Sequence, residues 1–151
     1  MKALSFFSAL FLATSVFSQS PNVTTVQNDF AAFGKGDIQT IVSSTADNVV
    51  WKHFGTQGVV PFAGIYNGHE GVARFFQNVG DNSQFTLFEP QNFTENGDVV
   101  VAVVNLKSVA ISTGKEYSDT VEMTFTFDAN GKITSWEAKG DAKGLDAAFT
   151  K

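Results

Sequence analysis

Between Tyr117 and Phe127 polar and apolar residues alternate along what reads as a strand. Ser118, Thr120, Glu122, Thr124 and Thr126 fall on one face, and Tyr117, Asp119, Val121, Met123, Phe125 and Phe127 on the other. Asp119 thus shares the apolar face. A carboxylate aimed at an apolar interior is paired, hydrated or shifted upward in pKa, because desolvation penalises its charged form. Such a group is a general base; at the open end of a strand it instead touches water or caps a turn. Tyr117, two residues away, could offer a phenol to a bound carbonyl or hydroxyl, or simply pack its ring at the rim. His53 closes an earlier strand and could shuttle a proton near neutral pH, or face solvent there. Lys52 alternates with it, so only one of the two points inward unless the strand is bulged. Trp51 and Trp136 present flat surfaces for stacking a cyclic ligand, a role that competes with plain core packing.

Other chemistries fail on residue type or spacing. With no cysteine among 151 residues, thiol nucleophiles, disulfides and thiolate metal sites are excluded. His69-Glu70 has no second histidine at Ala73, so the two-histidine zinc geometry is missing. There is no Gly-x-Ser-x-Gly elbow, and the glycines between residues 55 and 68 match neither phosphate-binding spacing. No metal or cofactor is expected. Ten Lys and Arg stand against fifteen Asp and Glu, a net charge of −5 that argues against nucleic acid and anionic membrane as partners. A small neutral or cationic ligand fits better.

Stepping to the elements that position these residues, Met1-Lys2 followed by a short apolar run and Val16-Phe17-Ser18 reads as a secretory leader over residues 1–20. The remainder, residues 21–151, reads as one exported domain, secreted or periplasmic, with no stable membrane insertion once the leader is cleaved and with sequons at Asn22 and Asn92. Loss of Lys2 takes the net charge to −6, from nine basic and fifteen acidic residues. A composition 43% hydrophobic and 17% charged fits a single packed core.

Val23, Val26, Phe30 and Phe33 recur at helical spacing until Gly34 and Gly36, and a short second helix follows on Asp37 with Ile38, Ile41 and Val42 on its buried side. A strand is expected over Val49–Phe54, an irregular arm over 55–68, and a helix through Val72, Phe75, Phe76 and Val79 that Gly80 ends. Strands then run over Gln84–Glu89, Val99–Ser112, Tyr117–Phe127 and Ile133–Lys139, joined at Asn96-Gly97, Thr113-Gly114 and Asn130-Gly131. Helices first and a meander after define an α+β layout, with helices on one face of a curved antiparallel sheet that encloses a hollow. The long Val99–Ser112 run is expected to bend or carry a bulge. Val99 to Val104 is apolar throughout, so both faces need cover: helices on one side and a second subunit on the other.

The ordered set Phe30-Ala31-Ala32-Phe33-Gly34-Lys35-Gly36-Asp37, Ala46-Asp47-Asn48-Val49-Val50-Trp51, Pro61-Phe62-Ala63-Gly64-Ile65-Tyr66-Asn67-Gly68 and Phe75-Phe76 resembles the SnoaL-like, ketosteroid isomerase-like branch of the NTF2-like superfamily. The resemblance spans essentially residues 21–151. It implies an α+β cone with an apolar cavity between helices and sheet, commonly a homodimer, and a choice of isomerase, cyclase, dehydratase, epoxide hydrolase or binding roles. It also sets Lys52 and Met123 where ketosteroid isomerases carry their general base and proton-donating acid. Met123 stands as well where many SnoaL-like chains carry a histidine, and Ala138 near a usual glutamate.

An enzyme built on this chain would therefore rely on Asp119, Tyr117 and His53. In that reading Asp119 abstracts a proton beside a carbonyl and Tyr117 or His53 meets the oxyanion. A non-catalytic carrier would hold its apolar ligand among Trp51, Lys52, Phe54, Phe62, Phe76, Met123 and Trp136. A third reading is a homodimeric or partner-binding module that uses the outer sheet face.

Overall fold

The computed structural model describes residues 20–151; the leader expected over residues 1–20 falls, apart from Ser20, outside them. Helix α1 (Pro21–Gly34) starts where Ser20 Oγ accepts a hydrogen bond from the Val23 amide at 3.1 Å, with proline in its first turn. Helix α2 (Ile38–Ser43) starts on Asp37, which accepts from both the amide and the hydroxyl of Thr40. Then follow β1 (Thr45–His53), β2 (Gly64–Asn67), α3 (Gly68–Asn82), β3 (Ser83–Asn96), β4 (Val99–Ala110), β5 (Glu116–Phe127), β6 (Ile133–Lys139) and α4 (Ala142–Ala148).

The strands form one curved, unclosed sheet in the order β2-β1-β6-β5-β4-β3; only the β1–β6 pair is parallel. Period-two alternation sets its faces. One row across the sheet, Tyr66, Trp51, Trp136, Phe125 and Val100, is buried, whereas the next row, Ile65, Lys52, Glu137, Thr124 and Val101, lies on the opposite side. Helix α3 presents Val72, Phe75 and Val79 to the first face, and α1 adds Val26 and Ala32. The core is the space between them.

The elements differ from the sequence expectation at several points. Gly80 does not end α3, which runs on to Asn82: one solvent-facing glycine costs a helix only about 1 kcal/mol against alanine. The arm over 55–68 contains the short edge strand β2, which pairs Val50 to His53 with Asn67 to Gly64 and was hidden among glycines. Helix α4 carries too short an apolar pattern to stand out; it forms because Asp141 caps it and Leu145 and Ala148 are buried.

The irregularity expected in the Val99–Ser112 strand sits instead in its neighbour. The β4–β5 register is unbroken, while β3 gains extra residues between Phe85 and Leu87 and between Gln91 and Thr94, the latter at Asn92 with φ +54°. β3 is also longer than expected and passes through Pro90, tolerable because β3 is an edge strand.

Candidate functional site

Between α1, α2, α3 and the inner sheet face lies a cavity of about 80 Å³ walled mainly by aromatic rings. Trp51 and Trp136 stack at 4.5 Å between centroids and 18° between planes, because parallel pairing sets them side by side on β1 and β6. Phe62, Phe75, Phe76 and Met123 complete this end; Phe30, Phe33, Phe85 and Phe88 form the other. Two ionisable side chains interrupt the apolar wall: Asp29 and His53.

Asp29 projects from α1 and is only 6% exposed. Burial pushes its carboxyl up to about 7, a rise that the hydrogen bond with Ser44 partly opposes. The contact with Ser44 is telling in detail. Ser44 Oγ lies 2.6 Å from Asp29 Oδ2 and 2.8 Å from the Ile41 carbonyl, yet a hydroxyl has one hydrogen. When Asp29 is ionised, Ser44 donates to it. When Asp29 is protonated, it donates to Ser44, which is then free to donate to Ile41. Both protonation states are served at the same site.

His53 is packed among Phe54, Phe62, Phe75 and Trp136, with ring centroids 4.5 to 6.0 Å away. Burial lowers its pKa to about 4, so the ring is neutral at neutral pH. Its Nδ1 lies 2.8 Å from the Phe54 carbonyl, which can only accept; the proton therefore sits on Nδ1 and Nε2 is a bare acceptor. Trp51, also in the lining, has its Nε1–H buried with no hydrogen-bond partner among the described residues. A donor so placed is costly until something accepts from it.

The residues expected from sequence divide into two places. Trp51, Phe62, Phe76, Met123, Trp136 and His53 line the cavity. Asp119 and Tyr117 do not. Tyr117 donates to Asp119 Oδ2 at 2.5 Å, and the same oxygen accepts from the Asp141 amide at 2.8 Å, while Oδ1 accepts from Thr120 N. The pair ties β5 to the start of α4. Burial and the neighbouring Asp119 carboxylate push the Tyr117 phenol upward.

Phe54 belongs to this second cluster: a Cβ at Gly140 would come within 2.6 Å of its ring, so Asp119, Phe54 and the glycine backbone are in close approach. Lys52 faces away from the cavity, with its ammonium 3.5 Å from Glu137. Asp29 escaped the sequence reading although the signal was there. It lies three residues after Val26 and four before Phe33, inside the apolar stripe of α1, the helical counterpart of the alternation that singled out Asp119.

Helices laid on one face of a curved, mostly antiparallel sheet, with an apolar hollow between, define the NTF2-like class. Solved structures bear this out. An NTF2-like protein of Burkholderia xenovorans LB400 is 27% identical, covers 88% of this chain and 98% of its own, and superposes with a TM-score of 0.79. TerC, co-crystallized with polyporic acid, is 25% identical over 86% of this chain and 98% of its own, TM-score 0.73. A Mesorhizobium loti protein provisionally named a SnoaL-like polyketide cyclase shares the fold at 17% identity, over 78% of this chain and 97% of its own, TM-score 0.63. Within that class the chain belongs to the SnoaL-like domain family, whose model matches residues 26–136. No curated protein matches it.

Proposed function

We propose that this protein binds a small cyclic, mainly apolar carbonyl compound in the cone cavity and moves a proton on it, as an isomerase or cyclase does. The observation that carries the reading is the presence of two ionisable groups in one aromatic cavity with pKa values pushed in opposite directions, Asp29 up to about 7 and His53 down to about 4. Ionised Asp29 takes a proton from the carbon beside the carbonyl, and the C–H electron pair moves to the carbonyl oxygen as an enolate. Trp51 lines the cavity and its N–H has no other partner among the described residues, so we assign it as the donor to that oxygen, while Ser44 follows the charge on Asp29. Return of the same proton to another carbon completes an isomerisation without any co-reactant. Proton transfer of this kind is worth roughly 10²–10⁴-fold.

The test is conversion of cyclohex-3-enone to its conjugated isomer, followed by enone absorbance. Activity should rise with pH through a midpoint near 7 and vanish in Asp29→Asn, with ligand affinity retained. Binding of apolar rings without turnover would instead favour a carrier. That reading draws on Lys52 and Met123, the two positions where the resemblance called for acid and base groups.

We also propose an exported homodimer joined through the outer sheet face. On that face Val50 and Ile65 are 39% and 57% exposed on β1 and β2, and Val101 and Val103 are half-buried on β4.

A further inference from the structure

The four phenylalanines closing one end of the cavity have a second side. Phe30, Phe33, Phe85 and Phe88 also floor an open groove of about 440 Å³ between α1 and β3, which Ala31 and Gly34 on α1 and Pro90 on β3 extend outward. All four rings are half-buried and meet at 4.9 to 5.9 Å between centroids. They form the partition between an inner chamber that holds polar groups and an outer trough that is apolar.

Three features keep the trough open. β3 is an edge strand, and among the described residues no further strand covers it. Pro90 withholds a backbone donor from that edge. A Cβ placed on Gly34 would meet nothing within 4 Å. The stretch of β3 carrying Phe88 and Pro90 is bracketed by the two register shifts, at Phe85/Leu87 and Gln91/Thr94, where strand pairing is interrupted. Half of the partition is thus mounted on an edge strand between two of its irregularities.

We propose that the ligand is elongated, with an oxygen-bearing ring in the inner chamber and an apolar chain that passes between the phenylalanines into the α1–β3 groove. This rests on the cavity reading above and adds the ligand's second half. The two spaces share a wall, and the inner chamber of about 80 Å³ leaves no room for a chain beside a ring, whereas the adjoining open groove does. The ionisable side chains, Asp29 and His53, line the inner chamber, whereas the residues lining the groove carry no polar side chain. A hydroxylated ring answers both, and nothing polar is asked of the tail.

Phenol is a stable stand-in for the enol, and 4-alkylphenols from 4-ethyl to 4-hexyl add the tail alone. Binding is read by quenching of the stacked Trp51 and Trp136. Affinity should rise by up to about fourfold per methylene. In Ala31→Trp, which fills the trough from the exposed face of α1, the rise should shrink to less than twofold over the series, with the affinity for phenol itself unchanged. Gly34→Leu fills the trough from another position and should act likewise.

A wild-type series with no chain-length dependence, or one that survives both fillings, overturns the proposal and leaves the inner chamber standing. Failure of phenol itself to bind removes both readings together.

Discussion

Asp29→Asn keeps the size of the side chain and its contact with Ser44 while removing the titration. The carboxyl is held up to about 7 in the folded protein against 3.8 in an exposed chain. Between those values the unfolded state is ionised and the folded state is not, so folding becomes less favourable as pH rises, by about 1.4 kcal/mol per pH unit. Stability from this group is fully present below pH 4 and lost by the time pH passes 7; the whole span amounts to about 4 kcal/mol.

His53 acts in the opposite sense. Its pKa falls from 6.5 to about 4, so its contribution is present above pH 6.5 and is lost as pH drops to 4, a span of about 3 kcal/mol. From pH 4 to 6.5 the two slopes cancel, and this pair leaves the wild-type protein nearly indifferent to pH. Urea unfolding at half-unit steps from pH 4 to 8 measures this. Relative to wild type, Asp29→Asn should gain stability steadily with rising pH, by several kcal/mol in all. His53→Gln should show the reverse slope below 6.5. A difference curve for Asp29→Asn that is flat above pH 5 would mean the carboxyl titrates as an ordinary surface acid, and the proton-transfer reading would go with it.

The remaining expectations concern parts of the fold that can be separated from the cavity. Asp119→Asn weakens contacts with Tyr117, Asp141 and Thr120 and should cost about 1–3 kcal/mol of stability. It should also leave phenol affinity within twofold; a loss of affinity or turnover without a loss of stability would return Asp119 to the active site. Gly140→Ala drives a methyl group into the Asp119 carboxylate and the Phe54 ring and should lower the unfolding free energy by about 1–3 kcal/mol, seen as a reduced Tm. Trp51→Phe removes a buried donor that has no partner, so it should destabilise the free protein less than its lost volume suggests, while phenol binding weakens several-fold. Val101→Lys on the outer sheet face should yield monomers in analytical ultracentrifugation; an unchanged sedimentation coefficient, or a wild-type monomer, counts against the dimer.

Periodicity alone determined the layout of this protein. The 3–4 spacing of Val26, Phe30 and Phe33, the stripe through Val72 and Phe75, and strict alternation from Tyr117 to Phe127 leave helices laid on one face of a curved sheet as the economical way to bury those faces. The same local rule sent Trp51 and His53 inward and Lys52 outward on β1.

What alternation does not carry is position along a strand. Asp119 and Met123 share a face, yet Met123 lines the cavity while Asp119 meets Tyr117 and the backbone of Asp141, because α4, a short helix with little sequence signal, docks at that end. Which acid is buried was likewise settled by packing. The stripe of α1 turns Asp29 inward, but its contact with Ser44 and the sheet that removes it from water join segments fifteen or more residues apart, which no local pattern encodes.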